Sequence, residues 1–226
     1  MKPANKVETT IQTASDGSFV EQPNEAVREF FGSQFGAMDH FSRMLVEEGE
    51  IRGLIGPREL PRLWSRHIVN SAAVLSFIPE GVQVLDVGSG AGFPGLVIAI
   101  ARPDLDVHLV EPMVRRCEWL ADVAGEIGLD NVTIHNTRAE ELHNVGQSDI
   151  VTSRAVANLK QLTRLTMPLV LPGGKMLALK GQRAAEEVKA ARPLFKKFNV
   201  GRVQVHEVPS LMEEESTRVV EMQKKR

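Results

Sequence analysis

Short runs of aliphatic and β-branched residues alternate with amphipathic stretches from residue 81 to the end of the chain. Each apolar run is bounded by glycine, proline or charged residues, which is typical of buried strands, and the stretches between them carry apolar residues at helical spacing. Alternating strands and helices indicate a mostly parallel sheet covered by helices. The predicted fold class is therefore α/β, a Rossmann-like domain built on a seven-stranded, mostly parallel sheet.

The bounds of the predicted elements follow from these patterns. The predicted strands are 82–87, 106–111, 132–135, 149–153, 175–180, 198–208 and 217–222, with a turn at 172–174 before the fifth. The predicted helices between them are 95–101, 113–127, 159–171 and 184–191. Because two late strands follow five parallel ones, we expect them to close the sheet as an antiparallel hairpin.

A helical extension precedes the sheet. Asn24 is a predicted N-cap, because its side chain can accept a hydrogen bond from the first turn of the apolar-periodic stretch that follows. Gly32, Gly36 and Gly49 weaken that stretch, so it allows two helices, and a second amphipathic stretch predicts a helix over 59–78. We expect the extension to pack on the same domain as the sheet. The predicted divisions are a polar, disordered tail (1–22), the helical extension (23–80) and the Rossmann-like domain (81–226).

A glycine-rich segment joins the first predicted strand to its helix, with Gly88, Gly90 and Gly92 in alternation after an acid-tipped strand. Glycines suit such a turn because they reach positive φ and let a ligand approach the backbone. A dinucleotide fingerprint would need Gly or Ala at position 93, where Phe93 stands, and Phe93 and Pro94 crowd the helix N-terminus where a phosphate would bind. The spacing is instead typical of sites for S-adenosyl-L-methionine, which contains no phosphate. The segment therefore predicts S-adenosyl-L-methionine as the cofactor.

The other candidate cofactor contacts lie where predicted strands end, because ligands of open parallel sheets bind beyond the carboxyl ends of the strands. Glu111 ends the second strand, where its carboxylate can accept hydrogen bonds from both ribose hydroxyls. The Ala139 N–H and the Glu140 side chain follow the third strand and could read the adenine edge, although they also suit an ordinary acidic loop or a helix start. We expect Asp86 to shape the glycine turn, with any ligand contact made to the ammonium group of the methionine moiety.

Arg154 ends the fourth predicted strand, where methyl-transfer enzymes usually display reaction-specific residues. This segment lacks the Asp/Asn-Pro-Pro-aromatic pattern of amino-group methylation, and Cys117, the candidate nucleophile for methylation of a pyrimidine carbon, lies on another predicted element. The lysine-containing charged tetrad that is common in ribose methylation cannot be assembled. A base-free reaction fits, because guanine N7 has an exposed lone pair and no proton to lose. Arg154 suits contact with a guanine edge, a phosphate or the cofactor, and a structural salt bridge is the alternative.

The composition limits the partners and the compartment. A net charge of −2 and a pI near 6.3 argue against a broad positive surface for bulk nucleic acid, without excluding a local basic patch. Cys117 is the only cysteine, which excludes an internal disulfide and a cysteine-built metal site. No apolar run approaches the roughly twenty residues of a membrane span, and the N-terminal segment lacks the apolar core of an export signal. We therefore expect a cytoplasmic protein without a metal or a membrane contact.

The chain carries the segments GLIGPR (53–58), LWSRHI (63–68), DVGSGAGFPG (86–95), SRA (153–155), LKG (179–181) and TRVV (217–220). Together they resemble one family, the bacterial small-subunit ribosomal RNA guanine-N7 methyltransferases called RsmG, formerly glucose-inhibited division protein B. The resemblance runs from about Glu25 to the C-terminus. Many methyltransferases share the glycine loop, whereas Arg66-His67 and Ser153-Arg154-Ala155 make the assignment specific.

The resemblance implies a class I methyltransferase that methylates N7 of a guanine in the 530 loop of 16S rRNA, on the small ribosomal subunit or its assembly intermediate. Glu111 takes the ribose-binding position, where other members often have Asp. Arg154 is the candidate for positioning the reactants at the catalytic centre. The cofactor-binding residues are Gly88, Gly90, Phe93, Glu111, Ala139, Glu140 and Arg154, and the candidates for RNA contact are Arg66, His67 and Lys180.

Two other classes of function remain open. A small-molecule methyltransferase would use the helical extension as a lid over a closed pocket. A cofactor-sensing RNA-binding or assembly protein would bind the same ligand without turnover. A nicotinamide-dependent dehydrogenase is disfavoured by Phe93. Because no exposed apolar stripe predicts a dimer, we expect a monomer.

Overall fold

The structure, a computed structural model, describes residues 12–13, 19–143, 146–212 and 216–226. Seven strands form its central sheet: β1 (Gln83–Val87), β2 (Asp106–Val110), β3 (Val132–His135), β4 (Ser148–Arg154), β5 (Val170–Lys180), β6 (Val200–Val208) and β7 (Thr217–Lys224). Their spatial order is β3-β2-β1-β4-β5-β7-β6. Strand β7 runs antiparallel to both of its neighbours, and the other neighbouring pairs are parallel.

This topology confirms the predicted Rossmann-like class and its closing antiparallel hairpin. Strands β2 and β3 lie on one side of β1, whereas β4 and β5 lie on the other. The strand order therefore reverses between β1 and β4, and a crevice is expected at the carboxyl ends of these two strands.

Helices cover the sheet and build the extension before it. Asn24 caps the first helix, since its Oδ1 accepts a hydrogen bond from the N–H of Val27 at 3.0 Å, and Gly32 ends that helix at a φ of 50°. The cap confirms the predicted role of Asn24, and the end at Gly32 divides the stretch into two helices, as its glycines allowed. The helices are α1 (Glu25–Phe31), α2 (Phe35–Glu48), α3 (Asn70–Ala72), α4 (Gly95–Ala101), α5 (Val114–Ile127), α6 (Leu159–Thr166) and α7 (Ala184–Ala191).

The single helix predicted over 59–78 is wrong. A 3₁₀ segment, Pro57–Arg62, is followed by a π-helical segment, Leu63–Val69, before α3 begins. Pro61 lies inside the first segment and lacks the N–H that an α-helix needs there. Trp64 and His67, both in the π-helical segment, are buried.

The predicted end of the helix over 159–171 is also wrong. Helix α6 stops at Thr166, a 3₁₀ turn follows at Met167–Leu169 with a proline at its start, and Val170 already belongs to β5. The Pro172-Gly173-Gly174 segment, predicted as a turn, runs inside this strand, where Gly173 takes a φ of 86° and the pairing with β4 is irregular. The residue pairs of β5 pass from Val170 to Lys175, so this segment is an irregularity within the strand rather than a turn that precedes it.

One apolar core joins the extension to the sheet. Phe41 of α2 and Trp64 of the π-helical segment are buried in the same cluster as Leu96 of α4 and Trp119 of α5. The ring of Phe41 also lies 5.6 Å from that of Phe93, between the glycine segment and α4. The extension therefore belongs to the same packed unit as the sheet.

The predicted tail over 1–22 lies largely outside the described residues. Of its described part, Gln12–Thr13 pairs antiparallel with Phe19–Val20. Val20 is buried, and the Glu21 carboxylate accepts a hydrogen bond from the N–H of Ser65 at 2.7 Å. Val20 and Glu21, at the end of this segment, thus contact the rest of the protein. None of the helices in the described residues combines the length and apolar character that a bilayer crossing requires.

A buried carboxyl closes the turn between β1 and α4. Asp86 is fully buried, its Oδ2 accepts a hydrogen bond from the N–H of Gly95 at 3.0 Å, and its Oδ1 has no hydrogen-bond partner. A Cβ at Gly95 would collide with the side chains of Leu109 and Asp86, so only glycine fits. Burial raises the pKa of Asp86 to about 7. Asp86 therefore shapes the turn, as predicted.

Replacing Phe41 by Ala should lower the free energy of unfolding by about 3–5 kcal/mol, because it opens a cavity in the shared core. Urea denaturation of the variant and of a control, Phe30→Ala, measures this. Phe30 is 48% exposed, so the control should lose about 1 kcal/mol or less. Wild-type protein should unfold in one transition, and separate transitions of extension and sheet would contradict the shared core.

The stability contributed by Asp86 should fall as the pH rises. Its carboxyl ionises near 3.8 in the unfolded chain but only near 7 in the folded protein, so unfolding releases a proton between these values. The free energy of unfolding should therefore decline across this window, and Asp86→Asn should remove that part of the decline. Denaturation curves across the window measure this, with Asp130→Asn as an exposed control. Parallel pH profiles for wild type and Asp86→Asn would refute the expectation.

Candidate active site

A cavity of about 640 Å³ opens at the carboxyl ends of β1, β2 and β4. The extension contributes Leu54, Ile55 and His67 to its wall, so the site lies between the extension and the sheet. The residues that the sequence predicts for cofactor binding come from separate segments of the chain and meet here. They are Gly88, Gly90, Phe93, Glu111, Ala139, Glu140 and Arg154.

The glycine loop presents its backbone to this cavity. Gly88 and Gly90 have φ values of 75° and 58°, in the left-handed region that favours glycine. A Cβ at Gly88 would lie 2.5 Å from Cγ2 of Val156, so a larger residue would displace that side chain in the loop after β4. Gly88 is therefore favoured by its backbone conformation and by packing, and Gly90 by its backbone conformation alone.

Most backbone amides of the glycine loop are already hydrogen-bonded inside the protein. Gly88 and Ser89 donate to the carbonyl of Val110 at 2.8 and 3.2 Å, and Gly92 and Phe93 donate to the carbonyl of Ser89 at 2.8 and 3.1 Å. The N–H groups of Gly90 and Gly95 go to the carboxylates of Glu111 and Asp86, and Pro94 has none. These amides do not form the phosphate cradle of a dinucleotide site. The geometry supports the prediction that the ligand carries no pyrophosphate.

Glu111 places a carboxylate in the cavity wall. Its Oε2 accepts from Gly90 N–H and its Oε1 from Met113 N–H, both at 3.0 Å. Nη1 of Arg116 lies 3.7 Å from Oε2. Each carboxylate oxygen keeps a further lone pair, so the side chain is fixed in direction and can still accept hydrogen bonds from a ligand.

Arg154 ends β4 and is held by the extension. Its Nη1 donates to the carbonyl of His67 at 3.0 Å and to Oγ of Ser71 at 3.2 Å, and its Nη2 donates to Nδ1 of His67 at 2.6 Å. The guanidinium carbon lies 5.2 Å from the centre of the Phe93 ring. Burial, with the charge of Arg66 as the second cause, lowers the pKa of Arg154 to about 10, so the side chain remains charged at neutral pH.

The three residues predicted for RNA contact lie in different environments. The Arg66 side chain is 54% exposed. His67 is buried at the cavity, between Arg154 and Glu59. Nζ of Lys180 lies 2.6 Å from the carbonyl of Ala157 and 2.9 Å from the Glu187 carboxylate. The structure brings His67 to the site and places the Lys180 ammonium against the loop after β4 and against α7.

The sequence did not identify Ser71 and Glu59 as parts of the site. Ser71 follows His67 by four residues, a spacing that places side chains on one helix face and was available as a signal. Glu59 reaches His67 only through the 3₁₀ and π-helical path of the chain, which the sequence pattern did not indicate.

Solved structures share this fold at low sequence identity. A SAM-dependent O-methyltransferase from Thermotoga maritima matches with a TM-score of 0.53 and 16% identity, over 68% of this chain and 63% of that one. At this identity, the likeness establishes the fold alone.

Relatives in sequence are much closer. A protein of Beutenbergia cavernae named Ribosomal RNA small subunit methyltransferase G is 52% identical over 88% of this chain and 93% of its own length. One of the same name from Thermobifida fusca is 49% identical over 75% of this chain and 72% of its own length. The family model GidB, described as rRNA small subunit methyltransferase G, matches residues 34–219. This range includes all the residues that line the cavity. The chain therefore belongs to the GidB family of rRNA small subunit methyltransferases.

Proposed function

We propose that this protein transfers a methyl group from S-adenosyl-L-methionine to N7 of a guanine in the 530 loop of 16S rRNA. Its substrate is the small ribosomal subunit or an assembly intermediate of it, and the enzyme acts as a cytoplasmic monomer. One observation carries the proposal: the predicted cofactor residues meet at a single cavity, inside the part of the chain that the family model matches.

The cavity offers the groups that this cofactor requires. The Glu111 carboxylate, oriented by two backbone amides, keeps lone pairs for the ribose hydroxyls. Ala139 and Glu140, at the start of a 3₁₀ turn after β3, offer a backbone N–H and a carboxylate to the adenine edge. Gly88 and Gly90 allow the ligand to approach the backbone. The donor set therefore fits a nucleoside that bears an amino acid.

The ionisable groups at the cavity suit a reaction without a general base. When bound, S-adenosyl-L-methionine supplies an electrophilic methyl group on a positively charged sulfur. Guanine N7 has a lone pair and no proton to lose, so the protein has only to bind and orient the reactants. His67 has both ring nitrogens engaged, and Glu111 is held by backbone amides. Arg154 then serves to position the reactants.

The substrate class follows from the relatives, whose names specify small-subunit ribosomal RNA. Of the three candidate RNA contacts, we retain Arg66, because its side chain is half exposed beside the cavity residue His67. We assign His67 and Lys180 to holding the site together. A net charge of −2 is compatible with recognition of a folded ribosomal site through its shape and a local basic patch.

Wild-type protein should transfer tritium from labelled S-adenosyl-L-methionine to small ribosomal particles that lack the modification. Mass spectrometry of the product should place the added methyl group on a single guanine of 16S rRNA. Naked 16S rRNA and a metabolite extract, assayed in parallel, distinguish the substrates. Label that enters only metabolites would overturn the RNA substrate.

Replacing Glu111 by Gln should weaken binding of S-adenosylhomocysteine by about 10- to 100-fold, because hydrogen bonds to a charged acceptor contribute roughly 1.5–3 kcal/mol. Calorimetry of the purified variant measures the affinity directly. Glu118→Gln, which changes an exposed acid of α5, is the matched control and should bind as wild type does. Equal affinity of Glu111→Gln and wild type would remove Glu111 from the cofactor site.

A further inference from the structure

We propose that His67 is a positioning residue for methyl transfer, which holds the Arg154 guanidinium against the Phe93 ring so that its remaining donors meet the reactants. The inference rests on the proposed function of the cavity. It gives a residue of the helical extension a role at the reaction centre.

His67 supplies most of the acceptors that hold Arg154. Its carbonyl and its ring Nδ1 accept from Nη1 and Nη2 at 3.0 and 2.6 Å, and Ser71 adds one hydroxyl at 3.2 Å. The imidazole also lies 5.2 Å from the Phe93 ring, which lies 5.2 Å from the guanidinium carbon. His67 thus contacts both Arg154 and the ring against which Arg154 packs.

These contacts require one tautomer of His67. An arginine can only donate, so Nδ1 must carry a lone pair and no proton. Nε2 then carries the proton, and its N–H donates a hydrogen bond to the Glu59 carboxylate 2.8 Å away. Glu59 therefore selects the tautomer that lets the ring accept from Arg154.

Burial and the neighbouring positive charges keep His67 in this neutral form. Burial is the largest cause that lowers the pKa of His67 to about 4, and the positive charges of Arg154 and Arg66 lower it further against the opposing effect of Glu59. The hydrogen bond from His67 lowers the pKa of Glu59, so its carboxylate stays ionised. At neutral pH the Glu59–His67–Arg154 chain therefore has one arrangement of protons.

This arrangement leaves part of the guanidinium for a ligand. Arginine has five N–H donors, and three are used by His67 and Ser71. Within the described part of the chain, the Nε–H and the second Nη2–H have no acceptor. Because Arg154 lines the cavity, fixing its used donors also fixes the direction of these two. Loss of the His67 ring nitrogens should therefore misdirect Arg154 without removing its charge.

The test compares two variants of His67 with a matched control. His67→Phe keeps a ring beside Phe93 and removes both nitrogens, whereas His67→Asn keeps an acceptor close to the position of Nδ1. The control is His206→Phe, because His206 makes the same pair of contacts far from the cavity lining. Its Nε2 lies 3.1 Å from the Glu221 carboxylate and its ring 4.6 Å from that of Phe77.

Methylation of small ribosomal particles should lose about tenfold or more in kcat/KM in His67→Phe, as expected for a hydrogen bond from a charged donor. His67→Asn should recover part of the loss, and His206→Phe should stay within about twofold of wild type. In an Arg154→Ala background, His67→Phe should change kcat/KM by less than about twofold, because its partner is absent. If the two substitutions instead lowered kcat/KM independently, so that the double variant lost the product of the two single losses, His67 would act apart from Arg154 and the inference would be overturned.

Two readouts do not depend on turnover. Calorimetry should show weaker binding of S-adenosylhomocysteine to His67→Phe than to His206→Phe, and equal affinities would count against the inference. Nitrogen-15 NMR of the unliganded wild-type protein should show His67 protonated at Nε2 only, and a proton at Nδ1 would contradict it. Wild-type protein that fails to methylate particles overturns the proposed function, whereas active wild type with an Nδ1–H tautomer overturns this inference alone.

Discussion

The charge of Arg154 at the cavity wall is the constraint around which the site is built. A guanidinium removed from much of its water must have acceptors, and these come from His67 and Ser71 of the extension. Ring contacts also join the extension to this site, because the Phe93 ring packs against both the Arg154 guanidinium and Phe41 of α2. Polar and apolar packing therefore bind the extension to the sheet at the point where the cavity forms.

The glycine loop explains which ligand the cavity can take. Glycine-rich turns after a first β-strand commonly hold phosphates with free amides. Here the Glu111 carboxylate accepts a hydrogen bond from the Gly90 N–H, and neighbouring amides donate to carbonyl and carboxylate oxygens of the protein. A buried carboxylate at this position would repel a pyrophosphate and accept hydrogen bonds from hydroxyls. A loop of this shape thus suits a ligand without a pyrophosphate, because most of its backbone N–H groups are hydrogen-bonded within the protein.

Much of the fold was predictable because apolar periodicity reports directly on burial. The strand over 132–135 and the helices Gly95–Ala101 and Ala184–Ala191 have the predicted bounds. The failures occur where Pro61 lies just before the π-helical segment Leu63–Val69, and where β5 contains the irregular Pro-Gly-Gly segment. Such positions depend on contacts distant in sequence, which local patterns do not contain.

The sequence by itself determined the α/β class, the glycine turn and the residues at the strand ends that form the cavity, because strand periodicity and turn chemistry are local properties. Only the tertiary structure decided what those residues contact. His67 lies against Arg154, and the Lys180 ammonium contacts Ala157 and Glu187. The partners of a charged side chain depend on which segments folding brings within about 3 Å, and no spacing along one chain specifies that.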